Sequence, residues 1–177
     1  MRKHFLAGLI AMLLITGANA QGGNVVKDQM IKDWERAKAY TKDYLDAMPA
    51  DKYSFRAQDS VRTFAQQMLH IAQGNIGLSA NGTDKERIWG GRNLERSASA
   101  QSKDSVVYYT LASYDFVIEG IKAMDPAKFE EKVNRFNMNE TRYAWLLKTF
   151  EHQTHHRGQT TMYIRLVGIK PPNERLF

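Results

Sequence analysis

The chain has 177 residues, no cysteine, 25 Lys and Arg against 19 Asp and Glu, and a formal net charge of +6. The lack of cysteine excludes disulfides, thiol nucleophiles and metal sites built on thiolates. The mild charge is carried by mixed-sign stretches such as KDQMIKDWERAKAYTKDYLD, with no basic run interleaved with aromatics, which speaks against a nucleic-acid partner.

The first residues read as a targeting segment. MRKH is a basic n-region, FLAGLIAMLLIT an apolar core and Ala18-Asn19-Ala20 a small-x-small cleavage site, so residues 1–20 are predicted to be a signal peptide cleaved before Gln21. The apolar run is too short for a bilayer core of about 30 Å, and no lipid-bearing cysteine follows it. The expectation is export across the inner membrane to the periplasm without stable membrane insertion. The mature chain, 21–177, keeps 23 basic and 19 acidic residues, a net charge of +4, and is long enough for one domain with its own core.

Four long segments carry a helical apolar period. The first spans roughly 25–48, with Met30, Trp34, Ala37, Thr41, Leu45 and Met48 three or four apart, and Pro49 stops it. The second is expected to start after Asp59-Ser60, both good N-cap residues, and to run toward Asn81-Gly82. A long connection rich in Gly, Ser and Asn, 81–104, can cross the domain and cover a site. The third helix is expected from about Asp104, with a stripe of Val107, Leu111, Tyr114, Ile118 and Ile121. Asp125-Pro126 then reads as the cap and first residue of a short helix, AKFEEKV. The last long helix is predicted from Asn139 or Glu140 to about Val167, with Gly168 as its C′ residue and Pro171-Pro172 beyond. The fold class is all-α, a four-helix bundle.

Histidine is sparse except in HQTHHRGQ, where three of the five in the chain fall within five residues. His152 and His156 are one helical turn apart, about 6 Å, and can converge on one metal ion. Gln153 follows His152, so the glutamate base of a metalloprotease helix is missing, and Glu151 and His155 are each turned about 100° from the ligand direction. Trp145, Gln159 and Tyr163 extend the same face and would wall a polar pocket. Leu146, Leu147 and Phe150 would face the core.

His70, in the second helix, sits in a strip of Gln66, Gln67, Gln73, Gly74 and Gly77, polar and small. With His70, His152 and His156 as ligands, the site would keep open positions, as catalytic metal sites do. The same spacings also occur on ordinary solvated helices, so a structural bundle stands beside the metal site as a reading of the residues. A mid-helix Gly158 costs about 1 kcal/mol against Ala and predicts a close backbone neighbour.

HQTHHRGQTTMYIRLVGIKPP resembles the C-terminal signature of the DinB-like superfamily, and MLHIAQGN its second-helix segment. YSFRAQDSVRTFAQQMLHIA and SYDFVIEGI match the family's look, so the resemblance spans the mature chain. It implies a four-helix bundle holding a divalent metal through three histidines, which by position are His70, His152 and His156. Arg157 and Gln159 match motif positions expected to support the ligands or pack helices.

Relatives include thiol-dependent transferases and metal-dependent hydrolases acting on small molecules, and they often pair as dimers. The functional expectation is a metal-dependent hydrolase or S-transferase. The alternatives are a metal-binding envelope protein without turnover and a structural bundle. Zinc or nickel are the favoured ions, with iron, cobalt, manganese and copper also suited to imidazole ligands.

Overall fold

The computed structural model describes residues 2–177, with side chains from Gly22 onward, and the signal peptide expected at 1–20 lies outside that side-chain description. Four helices dominate: α1 Arg2–Ala47, α2 Phe64–Thr83, α3 Lys103–Ala123 and α4 Arg142–Leu166. α2 packs between α3 and α4, and α1 lies mainly against α3. Among the described residues, no helix is long and apolar enough to cross a membrane.

The apolar stripe predicted for α1 is its buried face. Met30, Trp34, Ala37, Thr41, Leu45 and Met48 are all inside, and Pro49, extended at ψ 148°, ends the run. Trp34 meets the edges of Tyr114 on α3 and Phe150 on α4, at ring separations of 5.6 and 5.3 Å. It joins three helices, and truncating a buried aromatic of this kind costs about 3–5 kcal/mol.

α2 starts later than expected. Asp59 and Ser60 stay in an exposed turn, and Thr63 is the cap. Its hydroxyl accepts from Gln66 N at 3.1 Å while Gln66 Oε1 accepts from Thr63 N at 2.9 Å, a reciprocal capping box. Phe64 N and Ala65 N donate to the carbonyls of Phe55 and Tyr53, both at 2.9 Å. The capping box and these tertiary hydrogen bonds together decide which of several capping residues starts the helix.

On α3, Tyr114, Ile118 and Ile121 are buried as expected, but Val107 and Leu111 sit at the edge of the core. Val106, Thr110 and Ser113 take the deeper positions. Small polar residues let α3 approach α2 closely there: Asn75 donates to Ser113 Oγ at 3.0 Å and Thr110 to Met68 O at 3.4 Å.

The short helix expected over AKFEEKV is not formed. Asp125 caps only a 3-10 turn, Pro126–Lys128, and the chain then enters a hairpin of β1 Lys132–Arg135 and β2 Met138–Thr141. The strands are antiparallel, with Lys132 opposite Thr141 and Arg135 opposite Met138. Phe136 and Asn137 make the turn at φ 54° and 62°, the two left-handed residues that a two-residue hairpin of this twist needs. Thr141 then caps α4, accepting from Ala144 N at 3.0 Å.

Arg142, the first residue of α4, is buried. It bridges Glu131 at 3.0 Å, Asp84 at 2.5 Å and Gly82 O at 3.2 Å, tying the hairpin to the end of α2. At the other end Gly168 adopts φ 81°, and Ile169 N donates to Ile164 O at 3.1 Å, the six-to-one bond of a glycine-terminated helix.

Candidate metal centre

α2 and α4 run side by side, and their facing surfaces carry the three histidines. The ring centres lie 5.0 Å apart for His70–His152, 4.4 Å for His70–His156 and 4.5 Å for His152–His156. One nitrogen from each ring falls within 4.8 Å of the other two, a grouping that could bind a metal ion. His70 Nε2 and His152 Nε2 are 3.2 Å apart. Two nitrogens each about 2.0–2.1 Å from one ion at tetrahedral angles would stand about 3.3–3.4 Å apart, so the spacing is close to that of a shared ion.

The long connection supplies what the sequence left unassigned. Leu94 is fully buried and anchors it, and Gln73 Oε1 accepts from Leu94 N and Glu95 N at 3.0 and 3.3 Å. Gln66 Nε2 donates to Glu95 O at 3.3 Å. The glutamines beside His70 are therefore the clamp that holds the loop on α2. So held, Glu95 Oε1 accepts from His70 Nδ1 at 2.7 Å, and Glu95 Oε2 from Arg62 Nε at 2.7 Å.

This arrangement fixes the His70 tautomer. Its proton is on Nδ1, and Nε2 presents a bare lone pair to the centre of the triad. Burial alone would raise the Glu95 pKa, but the hydrogen bonds from His70 and Arg62 outweigh it and hold the carboxyl at about 2. Glu95 is an anion at any ordinary pH, and its negative charge strengthens His70 as a donor.

His156 is oriented by amides. Its Nδ1 lies 2.8 Å from the Gln67 amide and 3.3 Å from Gln159 Oε1. The Gln67 NH2 group donates to His156 Nδ1 and to Gln159 Oε1, so the two amides hold the ring from its Nδ1 side. Gln159 Nε2 in turn donates to His155 Nε2 at 2.9 Å. His155 is exposed and takes no part in the triad, as its angle on the helix implied.

His152 is held by shape instead. Its Nδ1 is buried and has no hydrogen-bond partner among the described residues. The ring packs edge-on against the bare backbone of Gly74: a Cβ built there would lie 2.1 Å from His152 Cε1. Gly74 is thus the small residue that makes room for the His152 ring. Burial, then the charges of His156 and His70, lower the His152 pKa to about 4, and burial with His70 does the same for His156. Both are neutral near pH 7, the form that binds metal.

Other expectations are corrected. Nothing lies within 4 Å of a Cβ at Gly158, so no backbone approaches it; the glycine in close contact is Gly74. Trp145 is buried two turns before His152, edge-on to Phe136 of the hairpin, and walls no pocket at the triad. Leu147 is 45% exposed because its side of α4 has no helix over it, whereas Leu146 is fully buried.

Arg157 turns into the core. It donates to Gln153 Oε1 at 3.0 Å and stacks 4.5 Å over the Tyr40 ring, joining α4 to α1 without touching the triad. Tyr163 does line a cleft beside the site, its hydroxyl donating to Arg62 O at 2.8 Å. Arg62, Gln67 and Glu95 had no motif to mark them in these roles, because they reach the histidines from separate segments.

A DinB family model matches residues 19–175. Among solved structures, a DinB-like protein from Bacillus cereus ATCC 10987 superimposes with a TM-score of 0.72 at 18% identity, over 84% of this chain and 97% of that one. A DinB-like protein from Bacillus subtilis gives 0.66 at 14% identity, over 84% and 96%. A conserved protein from Enterococcus faecalis gives 0.65 at 13%, over 80% and 96%. No curated protein sequence matches the chain.

Proposed function

The chain belongs to the DinB family, and on that premise we propose that it is an exported, divalent-metal-dependent enzyme of the hydrolase or transferase type acting on a small molecule. The observation that carries this reading is the 3.2 Å approach of His70 Nε2 to His152 Nε2 with Glu95 bonded behind His70. At that distance the two nitrogens share either a proton carried by His152 Nε2 or a cation. A metal ion on His70, His152 and His156 would take that proton's place. A carboxylate–histidine pair behind a ligand is the usual support of a metal centre.

When bound, the ion supplies Lewis acidity and acidifies a water or thiol sharing its open positions. Around it the protein does three things. Glu95 keeps the His70 proton on Nδ1; Gln67 and Gln159 set the His156 ring; Gly74 leaves room for His152. Glu95 is held too acidic to serve as a proton acceptor near neutrality, so its role is orientation. Three neutral nitrogen ligands suit zinc or nickel, and the same donors would accept iron, cobalt or copper.

The basic n-region, apolar stretch and small-x-small site at 1–20 support export to the periplasm. Outside the cytosol, reduced thiol cofactors are scarce, which favours hydrolysis over thiol transfer. The test is elemental analysis of the untagged mature protein beside His70→Ala. About one divalent ion per chain, lost in the variant, is the expected result; no metal in either, and no uptake of added zinc or nickel, would sink the reading. Metal retained without turnover of ester, amide or thiol substrates would instead make the protein a non-catalytic metal binder.

A further inference from the structure

Two open clefts flank the triad, and they differ in charge. On one side Leu78, Leu147 and Phe150 line a shallow groove with Lys148 and Glu151, whose charges are paired at 2.6 Å. On the other, a cleft of about 680 Å³ lies between the 57–62 turn and α4, lined by Ala57, Val61, Met162 and Tyr163 with Gln67 and Arg62. No carboxylate lines this second cleft, and its guanidinium is incompletely used. Arg62 gives its Nε proton to Glu95, and among the described residues its two terminal nitrogens have no hydrogen-bond partner. The side chain is 40% exposed. It lines the cleft and, through Glu95, is joined to His70 of the triad.

The apolar part of the cleft is exposed as well: Met162 is 58% and Val61 38% accessible. A free guanidinium edge matches a carboxylate or similar planar anion in two-pronged fashion, and apolar walls beside it match a hydrocarbon body. Tyr163, by bonding to the Arg62 carbonyl, holds the backbone from which the guanidinium projects.

We propose that this cleft binds the substrate as a small amphipathic acid, with Arg62 taking the anionic group and Val61 and Met162 the apolar tail. This assignment rests on the metal-enzyme reading for the identity of the bound molecule as substrate, but the binding itself does not need the ion. Hexanoate is the probe and hexanamide its neutral control, followed by the methyl resonance of Met162 in the purified protein, with metal content measured on the same samples. Hexanoate should shift the resonance and saturate, and hexanamide should bind at least tenfold more weakly.

Arg62→Gln should abolish that preference. Because Arg62 also touches Glu95, a second variant, Met162→Glu, puts a like charge in the cleft away from the ligand histidines. It should weaken hexanoate, followed by calorimetry, at least tenfold with metal content unchanged. Equal binding of acid and amide, no hexanoate binding, or full affinity in Met162→Glu would overturn the proposal. Selective hexanoate binding in a protein that takes up no metal would leave the cleft standing and remove the metal-enzyme reading instead.

Discussion

Gly74→Ala isolates the geometry of the centre with a single methyl group. A Cβ at residue 74 would lie 2.1 Å from His152 Cε1, 2.5 Å from Nδ1 and 3.0 Å from Nε2. Reaching an ordinary contact of 3.4 Å requires the ring to retreat by about 1.3 Å. A metal–imidazole bond tolerates about 0.2 Å, so His152 would be lost as a ligand. Supporting groups outside the ligand set already alter affinity about 10–100-fold, so the loss here should be at least about 100-fold.

Helix propensity works the other way, favouring Ala over Gly by about 1 kcal/mol, and Gly77→Ala separates the two effects. Gly77 is on the same helix with nothing within 4 Å of its Cβ, so this variant should gain stability and keep its metal. Competition against a chromophoric chelator, paired with thermal melts, reads both quantities. Gly74→Ala binding metal as tightly as the parent would refute the assignment of His152.

Glu95→Gln preserves shape but removes the anion behind His70; metal affinity should fall about 10–100-fold in the same chelator assay, with the helical content unchanged by circular dichroism. Acidification should destabilise the metal-free protein from pH 6.5 downward. His152 and His156 are lowered from 6.5 to about 4 on folding, so between those values the unfolded chain holds more protons and stability rises with pH. Denaturant midpoints measured from pH 4 to 8 should climb to about pH 6.5 and then level off from this source, and a flat profile across pH 4–6.5 would contradict it. Thr63→Ala removes half of the capping box and should cost about 1 kcal/mol in urea unfolding, with metal affinity retained because the His70 side chain is two turns away.

What was legible in the sequence was whatever a single helix encodes. The periodic stripe from Met30 to Met48 is the buried face of α1 because a 3.6-residue repeat fixes which residues share a side. The His152–His156 pair faces one way for the same reason, and His70 stood out by its strip of glutamines and glycines and by the resemblance of MLHIAQGN. Local signals were weaker where several residues compete for one role. Asp59, Ser60 and Thr63 are all good caps, and the Gln66 capping box together with the bonds from Phe64 and Ala65 to the 53–55 segment selects Thr63. Phe136-Asn137 lacks the glycine that usually marks such a hairpin, and with only Val133 buried the strands carry no readable alternation.

By itself the sequence determined four amphipathic helices and three candidate ligands, since periodicity and spacing are properties of one segment at a time. Only the tertiary structure decided that Glu95 and Arg62 belong to the site and that Gly74, not Gly158, makes room for it. Those assignments depend on distances between segments up to about eighty residues apart in the chain, as His70 and His152 are. Such distances are set by how helix faces pack rather than by any local preference of the residues.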